Sequence, residues 1–313
     1  MTVAALPLLV ALALGQTGTE PYRRSRVDTG IANDPRAHCL WWGDPHVTFQ
    51  QNQAGNPDVP DGRVPNEFDA FAAALDTWQA AANACSSLTL SEGPRVADRE
   101  IGWVEGGPNE NLIVYRMQFC GNPGNGGEPL VPASDPCWQD QTCQNKYDCF
   151  DQARATIAIT TTTYDRRTGQ IFDADVEGNG AFFLFTTVDS PPCPMGGPFT
   201  EQCVATDVQN TFTHELGHAF GLDHTDEEGS TMFRSAPAGE TSKRVLDSGT
   251  RQFLCDVYPK NAPPKDCVIS VAQSELGEAA GGCGCSEAGA PPLLIGLALW
   301  VLRGRRSRTG LRG

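Results

Sequence analysis

The chain has 313 residues, 40% of them hydrophobic and 19% charged, which supplies the apolar mass for a sizeable core and excludes disorder throughout. Lys and Arg total 23 against 38 Asp and Glu, a formal charge of −15, and a surface of that sign repels polyphosphate, so nucleic acid is excluded as a partner. Twelve cysteines, an even number, require pairing and point to an oxidising compartment.

In chain order, an apolar run from Val3 to Leu14 meets Ala13-Leu14-Gly15, small at both cleavage-site positions. This predicts a signal peptide over 1–15 and export, although the run is preceded by no Lys or Arg. A short N-terminal segment, 16–37, leads into one mixed α+β unit over 38–260. His46 to Asn52 reads as its first strand. Asn66 is placed to cap a helix, with Asp69 at the third position, where a carboxylate meets free amides. Phe68, Phe71, Ala72, Leu75, Trp78, Ala82 and Cys85 then recur at helical spacing, the signature of a core-packing face. Ser87 to Leu90, Leu112 to Phe119 and Thr156 to Thr163 are rich in β-branched residues and read as strands. Gly121 to Asp151, with Cys137, Cys143 and Cys149, reads as a disulfide-stapled insertion. From Phe172 to Glu177 apolar Phe172, Ala174 and Val176 alternate with Asp173, Asp175 and Glu177, which predicts a half-buried strand with an acidic outer face. Thr206 to Gln209 has the form of a capping box, so a helix starts at Thr206. No internal repeat is visible.

The chemistry is concentrated in that helix. His214 and His218 are four residues apart, on one helical face and about 6 Å apart at Cβ, where both imidazoles can grip one ion. Glu215, beside the first ligand, can reach a metal-bound water. Gly221 permits a positive φ, so the helix can stop and the chain can turn sharply. The turn lets His224 supply a third nitrogen. Three neutral imidazoles and a water satisfy tetrahedral Zn²⁺ with one open position, the catalytic pattern. Zinc is favoured over iron because Glu215 faces the water and does not complete a facial triad. With five His and 33 Gly in 313 residues, chance would produce this string in roughly one such chain in 10⁵.

The string His214 to His224 resembles the extended zinc signature of the metzincin metalloproteases, closest to the matrixin branch. Ser230-Thr231-Met232 lies where that family carries its Met-turn, and the segment from Leu246 to Pro259 resembles the helix that closes such domains. The resemblance implies an endopeptidase acting on protein or peptide substrates. It implies a twisted mixed five-stranded sheet, the signature helix below the cleft and substrate extended along an edge strand. His214, His218 and His224 would bind zinc, Met232 would lie beneath it, and Glu215 would act as general base. Phe233 to Arg244 would form a wall of the pocket for the side chain after the scissile bond, and its Gly, Pro and Ser content predicts a mobile loop.

Departures from the family pattern matter as well. Only His38 and His46 remain outside the signature, too few for the second zinc site of animal matrixins. Calcium is a further candidate cofactor, through Asp173, Asp175 or Glu177. Asp34-Pro35-Arg36-Ala37-His38-Cys39 only partly matches the family's inhibitory cysteine switch, and diverting Cys39 would leave an odd number of ectodomain cysteines. Five disulfides among Cys39, Cys85, Cys120, Cys137, Cys143, Cys149, Cys193, Cys203, Cys255 and Cys267 are the simpler assignment, with Cys193–Cys203 and Cys255–Cys267 as plausible local pairs.

A linker, 261–285, ends in Cys283-Gly284-Cys285. The tail 286–313 then holds an apolar run from Ala288 to Leu302, short for an untilted span, and an Arg cluster from Arg303 to Arg308 that favours the cytoplasmic side. This arrangement resembles the C-terminal sorting signals of myxobacterial surface proteins of the myxosortase type. It implies transient membrane association, a sorting peptidase as partner, and a protein at the cell surface or secreted. A retained anchor is the alternative for the tail. For the whole protein, the rival reading is a non-catalytic surface binding or adhesion protein that keeps a metzincin-like zinc site.

Overall fold

The computed structural model describes residues 21–31, 34–124, 127–267 and 307–312. The predicted signal peptide, most of the linker and the apolar part of the tail lie outside the described residues. In chain order the elements are β1 (Trp41–Trp42), β2 (His46–Gln51), α1 (Glu67–Cys85), β3 (Thr89–Glu92), β4 (Asn111–Arg116), β5 (Gln118–Phe119), α2 (Cys137–Asp140), α3 (Cys143–Tyr147), β6 (Cys149–Phe150), β7 (Thr156–Tyr164), β8 (Gln170–Asn179), β9 (Phe185–Thr186), β10 (Thr206–Asp207), α4 (Val208–Ala219), a 3₁₀ turn (Ser242–Arg244), α5 (Ser248–Val257) and β11 (Ser307–Arg312).

The main sheet has the order β11-β7-β8-β4-β2-β3, with β1 also pairing β8. β2, β3, β4 and β8 run parallel, and β7 turns back antiparallel to β8. The expected five strands are therefore present, but β1 and β11 extend the sheet to seven. The single strand expected from Leu112 to Phe119 breaks at Met117, because β5 leaves the sheet to pair with β6 in the insertion. Cys120–Cys149 closes that insertion and Cys137–Cys143 staples it internally.

α1 starts where its cap predicts: Asn66 accepts from the Asp69 amide at 2.9 Å while Asp69 accepts from the Asn66 amide at 3.1 Å. Its buried stripe is Glu67, Ala70, Phe71, Ala74, Leu75, Trp78 and Ala82, with Phe68, Ala72 and Cys85 only half-buried at its margin. This stripe packs on α4. Phe71 meets Phe212 edge-on at 5.7 Å and Trp78 meets Phe220 at 5.0 Å, and each such buried ring stabilises by roughly 1.5–3 kcal/mol relative to exposure. Trp78 Nε1 donates to the Thr213 carbonyl at 2.9 Å, Trp42 Nε1 to that of Ala219 at 2.8 Å, and the Tyr258 hydroxyl to that of Phe220 at 2.7 Å. Three core side chains thus hold the helix that carries the histidines.

All ten cysteines of the described residues are paired. Cys193–Cys203 is as expected, but Cys255–Cys267 is not formed. Cys255 joins Cys85, and Cys267 joins Cys39 across 228 residues. Sequence proximity was the wrong guide, because α5 lays Cys255 against the end of α1. The segment after it returns past Cys39, whose amide donates to Asp266 at 2.8 Å. In the chain-entropy account each of these two long loops stabilises by about 5 kcal/mol. Cys39 therefore has no free thiol to act as a zinc switch. Residues 21–31 also pack on this unit: the Ser25 amide donates to the Gly221 carbonyl at 2.8 Å, and Arg26 bridges to Cys39.

The acidic face of β8 is not solvated. Asp173, Asp175 and Glu177 are each 1% exposed, because the 97–110 segment and the insertion cover them. Asp175 accepts from the Gly102 and Leu112 amides at 2.6 and 2.9 Å. Burial, and the neighbouring charge of Asp173, push its carboxyl well above the usual range. Glu177 pairs at 2.7 Å with fully buried Arg116, which also reaches Asp148. Phe172, expected inward, is exposed at a register shift beside Tyr164 and stacks on Trp103. The alternation is real, but both faces are covered. Asp175 already meets two backbone donors and Glu177 a guanidinium, and the three carboxylates form no three-ligand cluster among the described residues, so the structure lends calcium no support there.

Candidate metal centre

α4 begins one residue later than its predicted box. Thr206 is engaged in β10, its amide donating to Leu184 at 3.0 Å, so Asp207 becomes the cap and accepts from the Asn210 amide at 2.7 Å. The helix runs to Ala219, and Gly221 adopts φ +102° as the turn requires. A Cβ there would lie 2.5 Å from the Leu40 carbonyl oxygen, so the close approach of the chain just before β1 demands glycine as much as the dihedral does. This turn brings His224 back over the helix.

The three imidazoles converge. The Nε2 atoms of His214, His218 and His224 lie 3.2 Å from one another in all three pairs. His214 Nδ1 donates to the Thr231 carbonyl at 2.6 Å and His218 Nδ1 to that of Leu222 at 2.8 Å. A carbonyl only accepts, so those ring protons sit on Nδ1 and both Nε2 lone pairs point into the common space. Facing lone pairs repel unless a cation lies between them. Tetrahedral Zn²⁺ with bonds of about 2.05 Å puts its ligands about 3.3 Å apart, close to the spacing here, so the donor set fits zinc. Burial pushes His214 well below the usual imidazole range and His218 down to about 4, which keeps both neutral and able to ligate.

Glu215 is completely buried, and the Thr160 hydroxyl of β7 lies 2.7 Å from its Oε2 and 3.0 Å from its backbone carbonyl. Met232 is buried beside Gly217, which lies between His214 and His218 along α4. Its Sδ would be 2.3 Å from any Cβ on Gly217, so the Met-turn and the glycine of the signature fit one another. The turn is tied from behind: Asp247 accepts from Ser230 Oγ at 3.0 Å, the Thr231 amide at 2.8 Å and Thr250 Oγ1 at 2.6 Å.

The structure brings the imidazoles of His214, His218 and His224 to one point; Glu215 lies one residue along α4 from the first of them with its carboxylate on Thr160, and Met232 packs against Gly217 of the same helix. Sequence reasoning missed Thr160 and Asp247, which hold the Glu215 carboxylate and the Ser230–Met232 turn from distant segments. It also missed Lys243, buried within a stretch expected to be mobile. Its backbone amide donates to Asn210 Oδ1 at 2.8 Å and its Nζ to the Ser235 carbonyl at 2.5 Å, while Arg244 bonds Asp207 at 2.8 Å. Only the helical cap signal of Asp247 before Gly249 and Thr250 was legible; a Thr in a strand and a Lys in a polar loop carry no local signal.

A family model, matrixin, matches residues 137–258, a stretch that begins in the insertion and contains β7, β8, α4, the Met-turn and α5. Over that stretch the chain is similar to the matrixin metalloproteases. No curated protein matches the chain.

Proposed function

We propose that the protein is an exported zinc-dependent endopeptidase in which Glu215 is the general base. The observation that carries this reading is the convergence of three Nε2 atoms at 3.2 Å with a buried carboxylate adjacent in sequence to the first of them. His214, His218 and His224 would hold the zinc, which would supply Lewis acidity and a more acidic water. Glu215 accepts the proton of the attacking water and returns it to the leaving amine, general acid–base work typically worth 10²–10⁴-fold. The Thr160 hydroxyl holds the carboxylate in place for both transfers. The Thr231 and Leu222 carbonyls keep the ligand nitrogens unprotonated and aimed.

Export is supported by five disulfides in the described residues, since such pairing persists in oxidising compartments. The tail reading, with a sorting peptidase cutting near Cys283 or Cys285, is tested by the intact mass of the mature protein; a species that retains Arg303 to Arg308 would refute it. The central test is Glu215→Ala. It is expected to keep about one zinc per chain and to lose peptide hydrolysis by at least a hundredfold. Turnover like that of the wild type would remove Glu215 from its role.

A further inference from the structure

β11, residues Ser307–Arg312, comes from the tail yet lies in the main sheet. It pairs antiparallel with β7 from Ser307 opposite Thr162 to Arg312 opposite Thr156, and it also approaches α4. Among the described residues, β7 has no other neighbour on that side. β7 is also the strand whose Thr160 contacts Glu215, and Thr309 is the backbone partner of Thr160. The segment thus runs along the open edge of the sheet beside the catalytic helix. That edge presents the backbone donors and acceptors with which an extended peptide adds as a strand.

We infer that residues 307–312 are an intramolecular occupant of this peptide-binding edge, and that they close the site until they are displaced or removed. The inference rests on the protease reading for its consequence, though the pairing itself does not. Charge favours the contact: the tail from 286 carries five Arg, whereas the remaining 285 residues carry 18 basic and 37 acidic side chains. Opposite net charges of this size draw the two together. The 39 residues of 268–306 present the segment in cis at an effective concentration on the order of 1 mM. A six-residue strand with an intrinsic dissociation constant of about 0.1 mM would then lower the free site roughly tenfold. A tail whose apolar run enters a bilayer with its Arg cluster across the membrane cannot reach β7. Membrane insertion and proteolytic removal therefore both release the edge.

The test compares the zinc-loaded full chain with its Thr309→Pro/Leu311→Pro variant, in which prolines remove strand donors outside the core. Amide hydrogen exchange is followed in peptides covering 156–164, together with hydrolysis of a peptide library. The expected result is at least tenfold faster exchange of the β7 amides that face β11 and roughly tenfold faster hydrolysis in the variant. A second arm uses a full chain with a specific cleavage site placed within 268–306, cut after folding, and should reproduce both changes on dilution. Unchanged exchange in both arms would overturn the inference, as would cleavage of the full chain within 307–312 by its own site, since a segment consumed there cannot hold it closed. Faster exchange with no hydrolysis in any form would support the pairing and count against the protease reading instead.

Discussion

Asp247 is the residue through which the fold behind the metal centre can be tested most directly. Its carboxylate caps α5 by accepting from the Gly249 and Thr250 amides, and it also accepts from the Ser230 hydroxyl and the Thr231 amide of the Met-turn. Asp247→Ala removes a helix cap, at about 1 kcal/mol. It also leaves the buried Thr231 amide without its acceptor, at about 2 kcal/mol more. For a unit of this size, a loss of about 3 kcal/mol lowers Tm by roughly 6–12 °C. Thr231 also supplies the carbonyl that orients His214, so zinc affinity should fall about tenfold, as for other residues that support metal ligands from behind. Differential scanning calorimetry and chelator competition measure the two effects, and Asp247→Asn should recover part of each. A Tm within about 2 °C of the wild type with unchanged zinc affinity would show that the Met-turn is held by something else. The sign with pH is also set. Burial alone would raise this carboxyl, but hydrogen bonds from Thr250, Thr231 and Ser230 hold it below 3.8. Its stabilisation is present above the ordinary value and is lost as pH falls through the lower folded value, so the gap between wild type and variant should close below about pH 4.

Gly221→Ala should destabilise by about 2–4 kcal/mol, since the residue has φ +102° and its Cβ would meet the Leu40 carbonyl at 2.5 Å; equal urea midpoints for the two proteins would refute this. Zinc binding in that variant should weaken with it, as His224 is carried by the turn. The metal-free protein should lose stability as pH falls from 6.5 toward 4. Unfolded imidazoles take up protons near 6.5, whereas burial lowers His214 well below that and His218 to about 4. Urea unfolding of the stripped chain at pH 7.5 and 5 reads the slope, and greater stability at pH 5 would contradict it. Thiol titration of denatured, unreduced residues 21–267 should find no free cysteine, and a single reactive thiol at Cys39 would revive the zinc switch.

The site was legible because its residues are close in sequence and on elements with strict periodicity. The i, i+4 histidines need only a helix to face one way, and Gly221 needs only its dihedral to return His224. The cap of α1 was equally local, since Asn66 and Asp69 satisfy each other's backbone without help from the rest of the fold. Misreadings arose where a distant segment competed for the same groups. Thr206 lost its capping role to β10 pairing, and Cys255 and Cys267 found partners 170 and 228 residues away.

What the sequence alone determined was that His214 and His218 share a helical face, that the turn at Gly221 returns His224 to them, and the α+β class, all properties of local pattern. Tertiary structure alone decided that the acidic face of β8 is buried, because a period of two shows that a strand has two faces but not what covers each. It likewise decided that Thr160 and Asp247 support the site and that residues 307–312 lie along β7. Those contacts join segments tens to hundreds of residues apart, and they exist only once a core of Phe71, Trp78, Phe212 and Phe220 has fixed α1, α4 and the sheet in their places.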